Sequence, residues 1–268
     1  MTRKNRKSPE VTFFDTADGS QTLYTPAFDE HYHNSQGAVS ESRHVFFEQP
    51  GLISALENRK SLSIFETGLG TGLNLALLHH FANQKSFAVQ ISYFGVEAYP
   101  IGPETIANIH FGDELATPTW LVSIFENLEP GHNFFQIDGP FRLEVSIYVG
   151  FFEHLEYSHH NPLADFIWHD AFAPYANPEL WQAPPFKKLY RWSSPNAIIS
   201  TYAAASAARA GMAAAGWFPF RAPGALGKRE MTLAAKNPSI LAEFKPVKKD
   251  RLAGRYHNRD FHPISGNG

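Results

Sequence analysis

The strongest constraint in this sequence is a short apolar run that ends in an acid and meets three closely spaced glycines. Leu62-Ser63-Ile64-Phe65 reads as a strand ending at Glu66, Gly68, Gly70 and Gly72 follow, and NLALLHHFANQ then has the pattern of an amphipathic helix. Strand, glycine turn and helix in that order let the backbone turn tightly and bring helix-start N–H groups close to a ligand. The pattern recurs. ISYFGV (91–96) is a second strand that ends at Glu97, DFIWHD ends at Asp170, and AIISTY (197–202) is another strand. Strands alternating with helices predict an α/β chain with a doubly wound parallel sheet.

The flanking segments read differently. VTFFDTADGSQTLYT places Asp18-Gly19 between two β-prone runs, a hairpin signal. RHVFFEQPGLISAL suits helix interrupted near Pro50-Gly51, and 101–131 reads as two helical segments divided near Thr117-Pro118. Residues 134–137 and 141–149 pair as a hairpin or serve as a strand and its approach. NPELWQAPPFKKLYRW is helical in pattern, with Pro184-Pro185 expected to break or kink it. AAASAARAGMAAAG is a helix closed by Gly216, and WFPFRA and REMTLAAK are the final strands. The expected organisation is a basic tail over 1–10, a hairpin and helix extension over 11–60, a catalytic domain over 61–240 and a basic tail over 241–268.

Composition removes several classes of function. The 268 residues contain no cysteine, which excludes disulfides, thiolate metal sites and cysteine nucleophiles within the chain. No apolar run reaches the length of a membrane span, and MTRKNRKSPEV lacks the apolar core of a secretory signal, so a cytoplasmic chain is expected. The net charge of −3 leaves only local basic patches to meet a polyanion. His31 and His33 are spaced as a metal pair on a strand, but no helical ligand spacing occurs and no metal is expected.

The glycine turn narrows the ligand. A dinucleotide turn needs a small third residue, and here that position is Leu73. Gly68, Gly70 and Gly72 behind Glu66 suit a ligand without phosphates, such as S-adenosylmethionine, whose ammonium Glu66 or backbone carbonyls would receive. Glu97, at a strand end, is placed to accept ribose hydroxyls. Asp170, at the same sheet edge, together with Phe172 can hold an amine beside a flat ring. The bland reading of Asp170 is a cap for the turn that follows it.

ETGLGTGLN, DFIWHDAFAPYANPELW and STYAAASAARAGMAAAGWFPFRAPGALGKREMTLAAK, with HYHNSQGAVSESRHVFFE upstream, resemble the methyltransferase domain of the MnmC-type tRNA wobble-uridine enzymes. The resemblance covers roughly residues 10 to 237 and implies a Rossmann-like class I methyltransferase fold behind the N-terminal β-hairpin extension. The reaction implied is S-adenosylmethionine-dependent N-methylation of the 5-aminomethyl group of wobble (2-thio)uridine. In that reading Glu66, Gly68, Gly70, Gly72, Asn74 and Glu97 hold the cofactor, and Asp170 orients the amine. Phe172, Lys228 and Arg229 meet the tRNA, at its anticodon loop. The chain is expected to lack the flavin domain of bifunctional relatives, so a separate oxidase or upstream modifying complex would expose the amine. Four places depart from the family: Phe151 stands where an acid meets the adenine, Ala98 where a lysine follows the ribose-binding acid, Ala171 where some members have glycine, and Gly224-Ala225-Leu226-Gly227 lacks an arginine. They leave open an amine-bearing small molecule or protein as acceptor, or a weakened homologue that only binds cofactor.

Overall fold

A computed structural model describes residues 8–84, 89–158 and 161–258. The chain opens with a three-stranded antiparallel sheet of β1 (Thr12–Asp15), β2 (Gln21–Thr25) and β3 (Glu30–His31) in that order. The first two strands form the expected hairpin. Gly19 adopts φ 83 in its turn, and the Asp18 carboxylate accepts from the Ser20 amide and, across the chain, from the Ser40 amide. Helix α1 (Ala38–Ser42), a π-helical turn over Arg43–Glu48 and α2 (Leu52–Asn58) lead into the main domain. The interruption falls at Gly51, which takes φ 77.

The main sheet has nine strands among the described residues. Parallel strands β4 (Ser61–Thr67), β5 (Gln90–Glu97), β7 (Arg142–Val149), β8 (Ala164–His169) and β9 (Ser193–Thr201) lie in the spatial order β7-β5-β4-β8-β9. Antiparallel β6 (Gly131–Ile137) extends the β7 edge as a hairpin. On the other side β11 (Glu230–Ala235) pairs with β9, and β10 (Phe218–Pro223) pairs with β11. The helices are α3 (Leu73–Asn83), α4 (Pro103–Asn108), α5 (Thr119–Glu126), α6 (Ala183–Arg191) and α7 (Ser206–Ala214). Strand β4 is buried from Leu62 to Thr67, as a strand covered on both faces must be. The edge strand β6 instead exposes Phe134.

This topology positions the site. The chain runs from β4 outward through β5 to β7, then returns to β8 on the other side of β4. The order therefore reverses between β4 and β8, and ligands of open α/β sheets bind in the crevice beyond the carboxyl ends of the strands at such a point. Gly68 leaves β4 there and Asp170 leaves β8.

One expectation is met and one corrected. The break expected near Pro184-Pro185 falls at Gln182, between a 3₁₀ turn over Pro178–Trp181 and α6, whose first turn holds both prolines where a missing N–H costs nothing. The segment from Phe244, read as a solvated tail, is folded over 245–257. Residues Lys245–Pro246 (β12) pair with β10, and helix α8 (Lys249–His257) packs on α7. Leu252 is buried against Ala210 and Ala213 of α7, whose small side chains let the helices approach. The Lys249 ammonium bonds the Gly216 carbonyl at 2.6 Å and stands 3.7 Å over the Phe218 ring. Alternating lysines concealed an apolar stripe too short to read in sequence. The N-terminal basic residues 3–7 and His159-His160 lie outside the described residues.

Candidate active site

A cavity of about 900 Å³ opens over the carboxyl edge of the sheet. Its floor is made by Thr67–Gly70, Val96–Tyr99, Gly150–Glu153 and Asp170–Ala173, four segments that follow four parallel strands.

The glycine turn is shaped by what surrounds it. Gly68 takes φ 89, and a side chain there would meet the Asp170 carbonyl at 2.6 Å. Gly70 takes φ 53 beneath the Tyr32 ring, whose Cδ1 lies 3.2 Å from the position of a Cβ. Gly72 does not line the cavity; a side chain on it would strike Leu121 of α5 at 2.8 Å, so this glycine serves packing. The loop is tied back to β5 by Gly68 and Leu69 amides bonding the Val96 carbonyl. Glu97 holds it from the other side, accepting from the Gly70 amide at 3.0 Å and the Tyr99 amide at 2.8 Å. Burial raises the Glu97 pKa, against the pull of those amides.

Glu66 lies elsewhere than the direct cofactor contact expected of it. Its side chain is fully buried and off the cavity wall, where it accepts from the Tyr93 hydroxyl and from Asn74 Nδ2 at 2.7 Å. Burial, with the nearby Asp170 charge, pushes its pKa well up. Asn74 does not reach the cavity either. The second hydrogen of its amide goes to Asp170 Oδ2 at 2.9 Å, so one amide ties both acids together.

Asp170 is held from several directions. Its amide donates to the Thr67 carbonyl at 3.0 Å, the Tyr202 hydroxyl donates to the Ala171 carbonyl at 2.8 Å, and Trp181 Nε1 donates to the Phe172 carbonyl at 2.9 Å. The carboxylate lines the cavity and bonds to Asn74, a residue on α3, rather than serving only the turn after it. Desolvation chiefly, with the charge of Glu41, raises its pKa to about 8; Asn74 and Lys228 oppose the shift.

The opposite wall comes from the N-terminal extension, which sequence reasoning did not include in the site. Phe28 and Tyr32 pack on Phe172 with ring centres 4.9 and 5.0 Å apart. His33 bonds Thr71 Oγ1 at 2.8 Å, and burial lowers its pKa to about 4, so it is neutral at pH 7. Glu41 accepts from Asn34 at 3.1 Å and pairs with Lys228 at 2.6 Å. Lys228 therefore belongs to the wall and does not pair with Glu230, which takes Arg209 and Arg221 instead. Arg229 is exposed and does not line the cavity. The signal that could have found the wall is the dense polar and aromatic stretch FDEHYHNSQG, too rich for a bare linker.

The residues fit a cofactor without phosphates. The cations that line the cavity are Lys188 and Lys228, and both are committed: Lys188 to the carbonyls of Phe152, Glu153 and Leu155, Lys228 to Glu41. Among the described residues no arginine lines it. Among the described residues, no cluster of His, Asp and Glu suits a metal ion.

Residues 127–237 match a family described as S-adenosyl-L-methionine-dependent methyltransferases. The chain is 32% identical over 240 residues to the tRNA 5-methylaminomethyl-2-thiouridine biosynthesis bifunctional protein MnmC of Cupriavidus metallidurans, covering 86% of this chain and 34% of that protein. The Ralstonia nicotianae protein of the same name is 31% identical over 222 residues, covering 80% and 33%. This chain carries an MnmC-type methyltransferase domain. It spans about a third of the length of these curated relatives. The crystal structure of MnmC2 from Aquifex aeolicus superposes with a TM-score of 0.65 at 22% identity, over 93% of this chain and 82% of that one, which shows the shared fold. The MnmC-type domain uses S-adenosylmethionine, and the doubly wound sheet expected from sequence is the one observed. No helix among the described residues is long and apolar enough to cross a membrane.

Proposed function

We propose that this domain transfers a methyl group to the 5-aminomethyl nitrogen of wobble (2-thio)uridine in tRNA, in the cytoplasm, with the anticodon loop presented to the cavity and a separate oxidase or upstream enzyme exposing the amine. The observation that carries this reading is Asp170. It is a carboxyl group fixed at the sheet switch point, in a cavity wall, with a pKa raised to about 8.

Bound S-adenosylmethionine supplies an electrophilic methyl group on a sulfonium. Gly68 and Gly70 would cradle it with open backbone, and Glu97 would accept from its ribose hydroxyls. Glu66 and Asn74 act behind the loop. Together with Tyr93 they fix α3 to β4 and aim the Asp170 carboxylate.

An alkylammonium must lose a proton before its nitrogen can attack. A carboxylate with a pKa near neutrality is matched to accept that proton, because general bases work best when their pKa lies near the operating pH. Once that proton has passed on to solvent, the Asp170 carboxylate accepts from an N–H of the neutral amine and offsets positive charge as the N–C bond forms and the methyl–sulfur bond breaks. Phe28, Tyr32 and Phe172 offer ring faces and edges for a flat base. Their closeness to Asp170 in one cavity favours an aminomethyl group on an aromatic base over a flexible aliphatic amine.

The test is transfer of labelled methyl from S-adenosylmethionine to tRNA carrying 5-aminomethyl-2-thiouridine, beside tRNA with an unmodified wobble base. Label in the first alone is expected, and label in neither would refute the reading.

A further inference from the structure

Charge is distributed very unevenly along this chain. Residues 244–258 hold five Lys and Arg against one acid, so this segment is +4 in a chain that is −3, and the remainder is −7. A protein that meets a polyanion with such a body must do so through the few places where cations are gathered.

The gathered cations are on a folded surface. On α8 the inner face is Leu252 and Tyr256, one helical turn apart and turned toward α7 and α6. Lys248, Arg251 and Arg255 fall at i, i+3 and i+7 and share one flank of the helix. Asp250 lies on another side. Lys245, Lys248 and Arg251 are exposed, and none of them makes an ion pair with another described residue. The helix runs from the Gly216 end of α7, where Lys249 is tied, up to the cavity rim, where its last turn is tied. The Tyr256 hydroxyl accepts from the Ala183 amide at 3.0 Å, and Ala183 stands between Gln182 and Pro184, both of which line the cavity.

We propose that α8, with Lys245 on β12, is the surface that holds the phosphate backbone of the tRNA beside the cavity. The proposal rests on the tRNA reading above and moves the main phosphate contact away from Lys228, whose charge Glu41 already neutralises. Phosphate contacts position a nucleic acid without reading its sequence, so exposed lysine and arginine along a helix that leads to the rim are the chemistry required.

Binding of an unmodified tRNA transcript, followed by fluorescence anisotropy from 50 to 300 mM salt, tests this. Lys248→Glu/Arg251→Glu is expected to weaken binding on the order of tenfold or more at low salt. It should also lower the slope of log affinity against log salt by about 0.7–0.9 per lost contact. Lys248→Gln/Arg251→Gln should move both in the same direction by less. Lys60→Glu reverses an exposed cation at the start of β4, four strands across the sheet from β10, and should change little. Calorimetry with S-adenosylhomocysteine confirms that each variant is folded. Wild-type affinity in the α8 variants, or an equal loss in Lys60→Glu, overturns the proposal. Methyl transfer by the wild type judges the activity separately. Transfer with α8 variants at full affinity removes only the surface, whereas α8-dependent binding without transfer removes only the activity.

Discussion

The two walls of the cavity are built in different ways. On the sheet side, main-chain bonds between neighbouring strand ends set the positions: Gly68 to Val96, Asp170 to Thr67, and Gly150 to Glu97. On the N-terminal side, side chains do most of this work: His33 to Thr71, Tyr32 and Phe28 to Phe172, Glu41 to Lys228. A backbone ladder fixes its loops to within the tolerance of a hydrogen bond, whereas aromatic and ionic contacts tolerate substitution and re-aiming. The sheet edge is thus the more narrowly fixed of the two walls, and the N-terminal wall the more open to change by substitution.

The largest expected effect tests the sheet side. Asp170→Asn should slow single-turnover methylation by about 10²-fold or more while calorimetry shows little change in cofactor affinity. In the wild type, turnover should rise with pH through about 8 as the carboxyl group ionises, and the variant should lose that limb. Stability has its own sign. A folded pKa of about 8 lies above the ordinary 3.8, so between these values the unfolded chain releases a proton that the native one keeps. Native stability from this group is full below about pH 4 and is lost as pH rises toward 8. Asp170→Asn should therefore melt higher than the wild type at pH 8, with the gap closing by pH 4. Equal turnover in the two proteins would return Asp170 to a turn-capping role.

A middle-sized effect couples the two walls. Gly70→Ala puts a Cβ 3.2 Å from the Tyr32 ring and strains a residue at φ 53. Left-handed strain costs about 1–2 kcal/mol; the free loop relieves it by shifting and binding must restore the strained turn, so cofactor affinity should fall about tenfold. In a Tyr32→Ala background the ring is gone and the loss should be smaller. Strict additivity would show that the N-terminal wall does not press on the cofactor loop.

The smallest effect is in the pH profile. Glu41→Gln removes a charge that raises the Asp170 pKa, so the rising limb of turnover should move to lower pH with little change in its plateau. An unmoved limb would separate Glu41 from the reacting acid. The exposed half of the Glu41–Lys228 pair makes its stability contribution modest, about 0–1 kcal/mol.

Legibility followed the same division. Gly68, Gly70, Glu97 and Asp170 stand on the cavity floor because each sits at the end of an apolar run, and such runs are visible one at a time. Phe172 and Lys228 reach the cavity as expected, although Lys228 arrives already paired. Glu66, Gly72 and Asn74 share the glycine motif yet face inward, since a turn alternates its residues between ligand and core and the motif does not say which goes where. Arg229 follows Lys228 in sequence but sits in the bend before β11, exposed and off the cavity lining.

The sequence by itself determined the parallel α/β sheet, its glycine turn, and the acids that close its strands, because hydrophobic period and turn chemistry are local properties. Only the tertiary structure decided that Asn74 joins Glu66 to Asp170 across 96 residues, that Glu41 reaches Lys228 across 187, and that a lysine-rich C-terminal segment is a docked helix. Those are meetings between segments distant in the chain. The free energy that fixes them comes from burial and pairing, and these exist only once the segments are packed together.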